Sequence, residues 1–200
     1  MNWEEESAAL RRDKGLGDYE PPAPFVASRA LERSVWYEGQ LITEYAQGSV
    51  VANSCCVWEG NLPQHVGPPP HIHYYEHELF FVIEGGITAW VEGQPFDIAK
   101  DALLFMPAGR IHWFVSTAPE TRMLSFTVTA QGDFPRINDN LGLFKFMGVP
   151  AEAMTLPPAG APTPQQLPDF AAIAQLSRDA GSELLDLERL GWRRGFGLDQ

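Results

Sequence analysis

Residues 67–85 read GPPPHIHYYEHELFFVIEG, and this stretch decides the fold. On a β-strand, residues i and i+2 share a face, so His71 and His73 turn both imidazoles to one side. Glu78 follows His73 by five residues, an odd offset that an unbroken strand would send to the opposite face. A bend or bulge within Tyr74–His77 is needed to bring Glu78 round to the histidines. Beyond it, Glu78, Phe80 and Val82 alternate with Leu79, Phe81 and Ile83. The first set faces inward and carries the carboxylate with it. Both sets are apolar apart from Glu78, which places this strand between two layers or at an interface.

Working outward, the same texture continues on both sides. Short β-rich runs occur at Val35–Tyr45, Val50–Trp58, Glu78–Glu84, Ile87–Glu92, Leu103–Met106, His112–Ser116 and Met123–Thr129. Turn signals separate them at Gly48, Asn61-Leu62-Pro63, Gly85-Gly86, Gly93-Gln94-Pro95, Pro107-Ala108-Gly109 and Ala118-Pro119. Strands at roughly ten-residue spacing predict an all-β sandwich or barrel. No internal repeat of 20–50 residues is visible, which favours a single barrel over a duplicated one or a propeller.

The barrel spans 25–135 in this reading. Ahead of it, 1–24 form a polar arm ending in Pro21-Pro22-Ala23-Pro24, with room for a short helix over Glu4–Arg12. Behind it, 136–200 form a Pro-rich connector and a helical extension. Pro150, Pro157, Pro158, Pro162, Pro164 and Pro168 exclude a helix over 150–168. Asp169 then caps a helix at Phe170–Ser177, and Ser182 caps a second over Glu183–Leu190.

Composition excludes several classes. The chain has 200 residues, 44% of them hydrophobic, enough for one sizeable core. Its net charge of −12, without a basic run, disfavours nucleic acid and anionic membrane as partners. No run approaches 18 apolar residues, and the first residues do not read as a signal peptide. Cys55 and Cys56 are the two cysteines; adjacent on a strand, they do not bridge, which fits a reducing compartment and a cytoplasmic protein.

Four of the five histidines, His65, His71, His73 and His77, fall within thirteen positions, and His112 opens a later strand behind the Pro107-Ala108-Gly109 turn. A lone His-x-His is more often an ordinary histidine pair than a metal site. Three imidazoles with one carboxylate, however, suit a divalent transition ion: Ni, Mn, Fe, Co, Cu or Zn. His71, His73, Glu78 and His112 are the candidate ligands. His77 points away from Glu78, and His65 lies in an exposed loop. Phe80 and Phe114 each sit two residues from a ligand on the same face, and are the candidate substrate contacts. The other aromatics, Trp36, Tyr45, Trp58, Trp90, Phe105, Trp113 and Phe126, read either as barrel core or as pocket walls.

The spacing His-x-His, four residues, Glu, six residues, Gly, followed by Pro-x-Gly, two residues, His, resembles the two motifs of the cupin superfamily. The likeness covers roughly Trp36–Val128. Asp101 stands where that pattern has Gly, and Ser116 where it often has Asn. Within the cupins, Gly67–His73, Glu78–Gly85, Trp36–Leu41 and Phe146–Ala151 look like the bacterial single-domain quercetin 2,3-dioxygenases. That resemblance implies a single double-stranded β-helix barrel, one metal ion, and an oxidoreductase that opens a flavonol-like or other enolisable aromatic ring with dioxygen. Glu78 would be the catalytic base as well as a ligand. The alternatives are a metal-dependent isomerase, cyclase or lyase acting without dioxygen, and a non-catalytic small-molecule-binding cupin. The apolar row Leu79, Phe81 and Ile83 points to a homodimer.

Overall fold

A computed structural model of the chain describes residues 2–130, 144–145, 147–161, 170–179 and 181–185. The arm carries helix α1 (Trp3–Asp13), started by Asn2, whose Oδ1 accepts from the Glu4 amide at 3.1 Å. No residue of α1 is buried. Twelve strands follow among the described residues. They are β1 (Ser34–Tyr37), β2 (Gln40–Ala46), β3 (Cys55–Pro63), β4 (His71–His73), β5 (Glu76–Glu84) and β6 (Gly86–Val91). The rest are β7 (Gln94–Ala99), β8 (Leu103–Met106), β9 (His112–Ser116), β10 (Glu120–Thr129), β11 (Val149–Pro150) and β12 (Ser182–Leu184). Helix α2 (Phe170–Asp179) precedes the last strand.

The strands form two antiparallel sheets. One runs β11-β1-β2-β3-β10-β5-β8 and the other β12-β4-β9-β6-β7. The fold is all-β, a barrel of the cupin type. Its inner face follows from the register, since residues directly opposite in an antiparallel ladder share a face. Cys56, Thr127, Glu78 and Met106 form one cross-strand row; Trp58, Ser125, Phe80 and Leu104 form the next. Leu62, Phe80, Val82, Ile87, Ala89, Ile98, Met106, Phe114 and Met123 fill the space between the sheets. Each large side chain fully buried there contributes roughly 1.5–3 kcal/mol.

The outer face of the seven-stranded sheet is partly covered by the chain's own ends. Trp36 and Leu41 pack against Val149, Ala151, Met154 and Ala161. Glu59, nearly excluded from solvent, is bound by Arg29 at 2.8 Å and Arg122 at 3.3 Å, which fastens the segment ahead of β1 to the barrel. The row Leu79, Phe81 and Ile83 is half-buried. Its neighbours on β8, Leu103 and Phe105, are 54% and 49% exposed.

Several boundaries differ from the sequence reading. Asn61-Leu62-Pro63 ends strand β3 instead of breaking the chain, because all three pair with β10. The run expected to start at Val50 starts at Cys55. Gly48–Val50 is a 3-10 turn, and Ala52 and Asn53 take left-handed backbone angles that no strand accepts. Gln94 and Pro95 belong to strand β7, an edge strand, where proline's missing N–H costs no ladder bond. Val35–Tyr45 is a hairpin turned at Glu38 and Gly39. Ser182–Leu184 is a strand and not the start of a helix; the remainder of that expected helix, and the Asp169 cap, lie outside the described residues.

Candidate metal centre

The bend required by the odd spacing is present. Strand β4 ends at His73, Tyr74 and Tyr75 turn the chain, and β5 restarts at Glu76. From there burial alternates strictly, with Glu76, Glu78, Phe80 and Val82 buried and His77, Leu79, Phe81 and Ile83 half-exposed. His71 pairs directly with His112 across the β4–β9 ladder. The three histidines therefore come from the five-stranded sheet and the carboxylate from the seven-stranded sheet facing it.

His71, His73, Glu78 and His112 each offer one ligand atom, and these atoms lie within 4.8 Å of one another. That is close to the span of a single ion's donor shell, about 4 Å. The far ring nitrogens are tethered. His71 Nδ1 donates to the Pro69 carbonyl at 2.9 Å, and His112 Nδ1 to the Arg110 carbonyl at 2.9 Å. His73 Nδ1 meets Glu76 Oε2 at 3.3 Å. A proton held on each Nδ1 would leave the Nε2 lone pair for an ion, the arrangement that ligating imidazoles require; without an ion, His112 Nε2 is within reach to donate to Glu78 instead. His112 Nε2 and His73 Nε2 stand 3.2 and 4.0 Å from Glu78 Oε2. Ser125 Oγ donates to the other carboxylate oxygen at 3.1 Å. The donor set fits a divalent transition ion, with no thiolate in it.

The electrostatics of the cluster are mixed, with Glu78 and His71 shifted toward the ligating forms and His73 away from it. Burial pushes the Glu78 carboxyl up, but the hydrogen bond from His112 and the charges of His73, His112 and His71 outweigh it and hold it at about 2. Burial, with the neighbouring His112 and His73, holds His71 well below its ordinary value and keeps it neutral. Burial lowers His73 too, yet the hydrogen bond to Glu76 and the charges of Glu78 and Glu76 leave it raised. A buried carboxylate without such partners is costly, and a bound ion would take over the role that the imidazoles' charge plays here.

Glu76 is the residue that the sequence reading missed. It is 3% exposed and supplies the carboxylate behind His73. Its signal was the even offset from Glu78, which puts both on the inner face. His77 accepts from the Ala108 amide at 3.0 Å through Nδ1, outside the ligand group. His65 takes a left-handed backbone angle and lines, with Glu38, Val66 and Gly67, a separate cavity of about 440 Å³. Phe80 and Phe114 meet edge to face at 4.8 Å and are almost wholly buried, inside the apolar cluster next to the ligand rows. Trp90 stacks on Trp113.

Residues 59–128 match the family model described as Cupin domain, about a third of the chain, and the barrel around them has the cupin architecture. The chain is similar to quercetin 2,3-dioxygenase of Bacillus subtilis (strain 168), 31% identical over 58 residues. That match covers 29% of this chain and 17% of the relative. Among solved structures it is similar to KdgF from Halomonas sp., 13% identical, covering 56% of this chain and 97% of that one, with a TM-score of 0.47. It is also similar to the cupin domain of Schizosaccharomyces pombe Cnp3, 17% identical, covering 50% and 77%, with a TM-score of 0.43. No helix among the described residues is long and apolar enough to cross a membrane.

Proposed function

We propose that this chain is a metal-dependent dioxygenase that opens the ring of a flavonol-like, enolisable aromatic substrate with dioxygen. The observation that carries the reading is the buried group of three imidazoles and Glu78, tethered from behind and closing between two sheets. The short likeness to a quercetin dioxygenase supports the substrate class. When bound, a divalent transition ion supplies the Lewis acidity that holds an enol or phenol as its anion. His71, His73 and His112 hold that ion, and Glu78 completes the set. Glu78 is also the acceptor of the substrate's hydroxyl proton. Phe80, Phe114 and Met106 keep water from the reacting ring. With dioxygen, ring opening releases carbon monoxide and leaves a phenolic ester.

In this reading the protein works as a homodimer in the cytoplasm. Cys55 and Cys56, adjacent on one strand and so unable to bridge one another, support a reducing compartment. The exposed apolar edge at Leu103 and Phe105 supports self-association. Oxygen uptake by metal-loaded protein against a panel of flavonols tests the activity. Turnover that persists without dioxygen would replace it with a metal-dependent isomerase, cyclase or lyase, and tight binding without turnover would replace it with a binding module.

A further inference from the structure

The two carboxylate oxygens of Glu78 go to different partners. Oε2 faces the imidazoles, 3.2 Å from His112 Nε2 and 4.0 Å from His73 Nε2. Oε1 turns the other way, toward strand β10, and accepts from Ser125 Oγ at 3.1 Å. The register makes this partner a selective one. Thr127 stands directly across the β5–β10 ladder from Glu78, while Ser125 faces Phe80 in the next row. Diagonal neighbours of this kind lie about 7–8 Å apart, within reach of a long side chain. Thr127 Oγ1 meanwhile has no hydrogen-bond partner. The carboxylate thus leans past the hydroxyl opposite it to meet the diagonal one.

All three groups are shut off from water. Ser125 and Thr127 are wholly buried, and Glu78 is 3% exposed. The other members of the Glu78 row, Met106 and Cys56, carry a thioether and a thiol, which donates weakly at best. An ionised carboxylate only accepts, and a buried charged group left without its donor is costlier than a neutral one. Carboxylates ligate cations through one oxygen or through both. With the Ser125 hydroxyl gone, the strongest partner left for Oε1 is the ion itself, beside Oε2.

On the reading of His71, His73, Glu78 and His112 as a catalytic metal centre, we propose that Ser125 is a positioning residue that limits Glu78 to one ligating oxygen. Its hydroxyl keeps Oε1 away from the ion and so leaves a coordination position open for substrate. Ser125 acts through Glu78 alone. Without that hydroxyl both oxygens close on the ion, which is then held as firmly as before while an incoming ligand is shut out. A residue with only a structural role behaves differently, because its loss weakens the hold on the ion and on the ligand together.

The test uses full-length protein loaded with cobalt(II) and titrated with azide, followed by the visible absorption of the bound cobalt. Ser125→Ala should keep one cobalt at parental or tighter affinity and raise the azide Kd about tenfold or more, the scale of a hydrogen bond to a charged group. Ser125→Thr, which retains the hydroxyl, should bind azide as the parent does. So should Thr127→Val, which removes the hydroxyl that Glu78 leaves unused. Parental azide affinity in Ser125→Ala overturns the positioning role and leaves the metal-centre reading intact. Joint loss of cobalt and azide in that variant also overturns it, as the mark of a structural residue. An equal rise in azide Kd in Ser125→Thr or in Thr127→Val does the same, because the Ser125 hydroxyl would not be the cause. Cobalt-loaded parent that binds no azide overturns it too, since no position would be open to protect. Parent protein that takes up no cobalt(II) overturns the metal-centre reading, and the positioning role with it.

Discussion

Glu78 and His112 lie 34 residues apart and on strands of different sheets, yet Glu78 Oε2 stands 3.2 Å from His112 Nε2. The contact closes the barrel at the height of the ligand group. An ion held there ties the two sheets together, so its binding is also a folding term.

Metal loading should therefore raise the melting temperature. At free metal a hundred times Kd the gain is about 2.7 kcal/mol, roughly 5–10 °C for a chain of this size. His112→Ala should lose both the stoichiometric metal and this response, while His77→Ala should keep both. Elemental analysis alongside thermal melts checks the pair.

Glu76 fixes the proton of His73 from behind, and loss of such a partner typically weakens metal binding about 10–100-fold. Glu76→Ala should fall in that range. Glu76→Gln, which can still accept a hydrogen bond, should fall less. Competition against a chromophoric chelator measures both, and an unchanged affinity in the Ala variant would remove Glu76 from the centre.

Replacing Glu78 separates the functional readings. Metal-loaded Glu78→Gln should still bind a flavonol but turn over roughly 10²–10⁴-fold more slowly. The parent should consume dioxygen and release carbon monoxide. Full parental turnover in an anaerobic chamber contradicts the dioxygenase.

Gly67 has no space for a side chain. A Cβ there would stand 1.9 Å from the Phe114 carbonyl oxygen, a backbone atom that cannot move aside. Gly67→Ala should destabilise the barrel by about 1–3 kcal/mol or more, read by denaturant titration.

On β8, the last strand of its sheet, Leu103 and Phe105 lie beside Phe81 and Leu79 on one outer face. Light scattering at micromolar concentration should report a dimer, and Leu103→Glu with Phe105→Glu should return a monomer that keeps its metal. A monomeric parent contradicts the dimer.

Much of this was legible in the sequence because it rests on local periodicity. The shared face of His71 and His73, the bend before Glu78 and the alternation that follows all come from a period of two. What escaped depends on distant partners. Asn61-Leu62-Pro63 carries turn residues, but β10 supplies a partner for each of them, and pairing overrides the local signal. The same holds for Ser182, an ordinary helix cap that the edge of β4 recruits into a strand. Glu76 reads as one more acidic residue until the fold shows that its carboxylate is buried behind an imidazole.

Strand β4 is three residues long and meets β9 in a single pair, His71 with His112, but meets β12 in three. The grip extends past the ladder, with the Tyr74 amide donating to Gly181, the Leu185 amide to Pro70, and the Tyr74 hydroxyl to Glu183. Two of the three imidazoles are thus carried on a ribbon that the far end of the chain holds in place. Thermodynamic reciprocity then applies: whatever the clasp adds to metal affinity, the metal returns as tightness of the clasp. A protease that cuts at Gly181–Leu185 would release the ion, and saturating the ion would shield those residues from the cut.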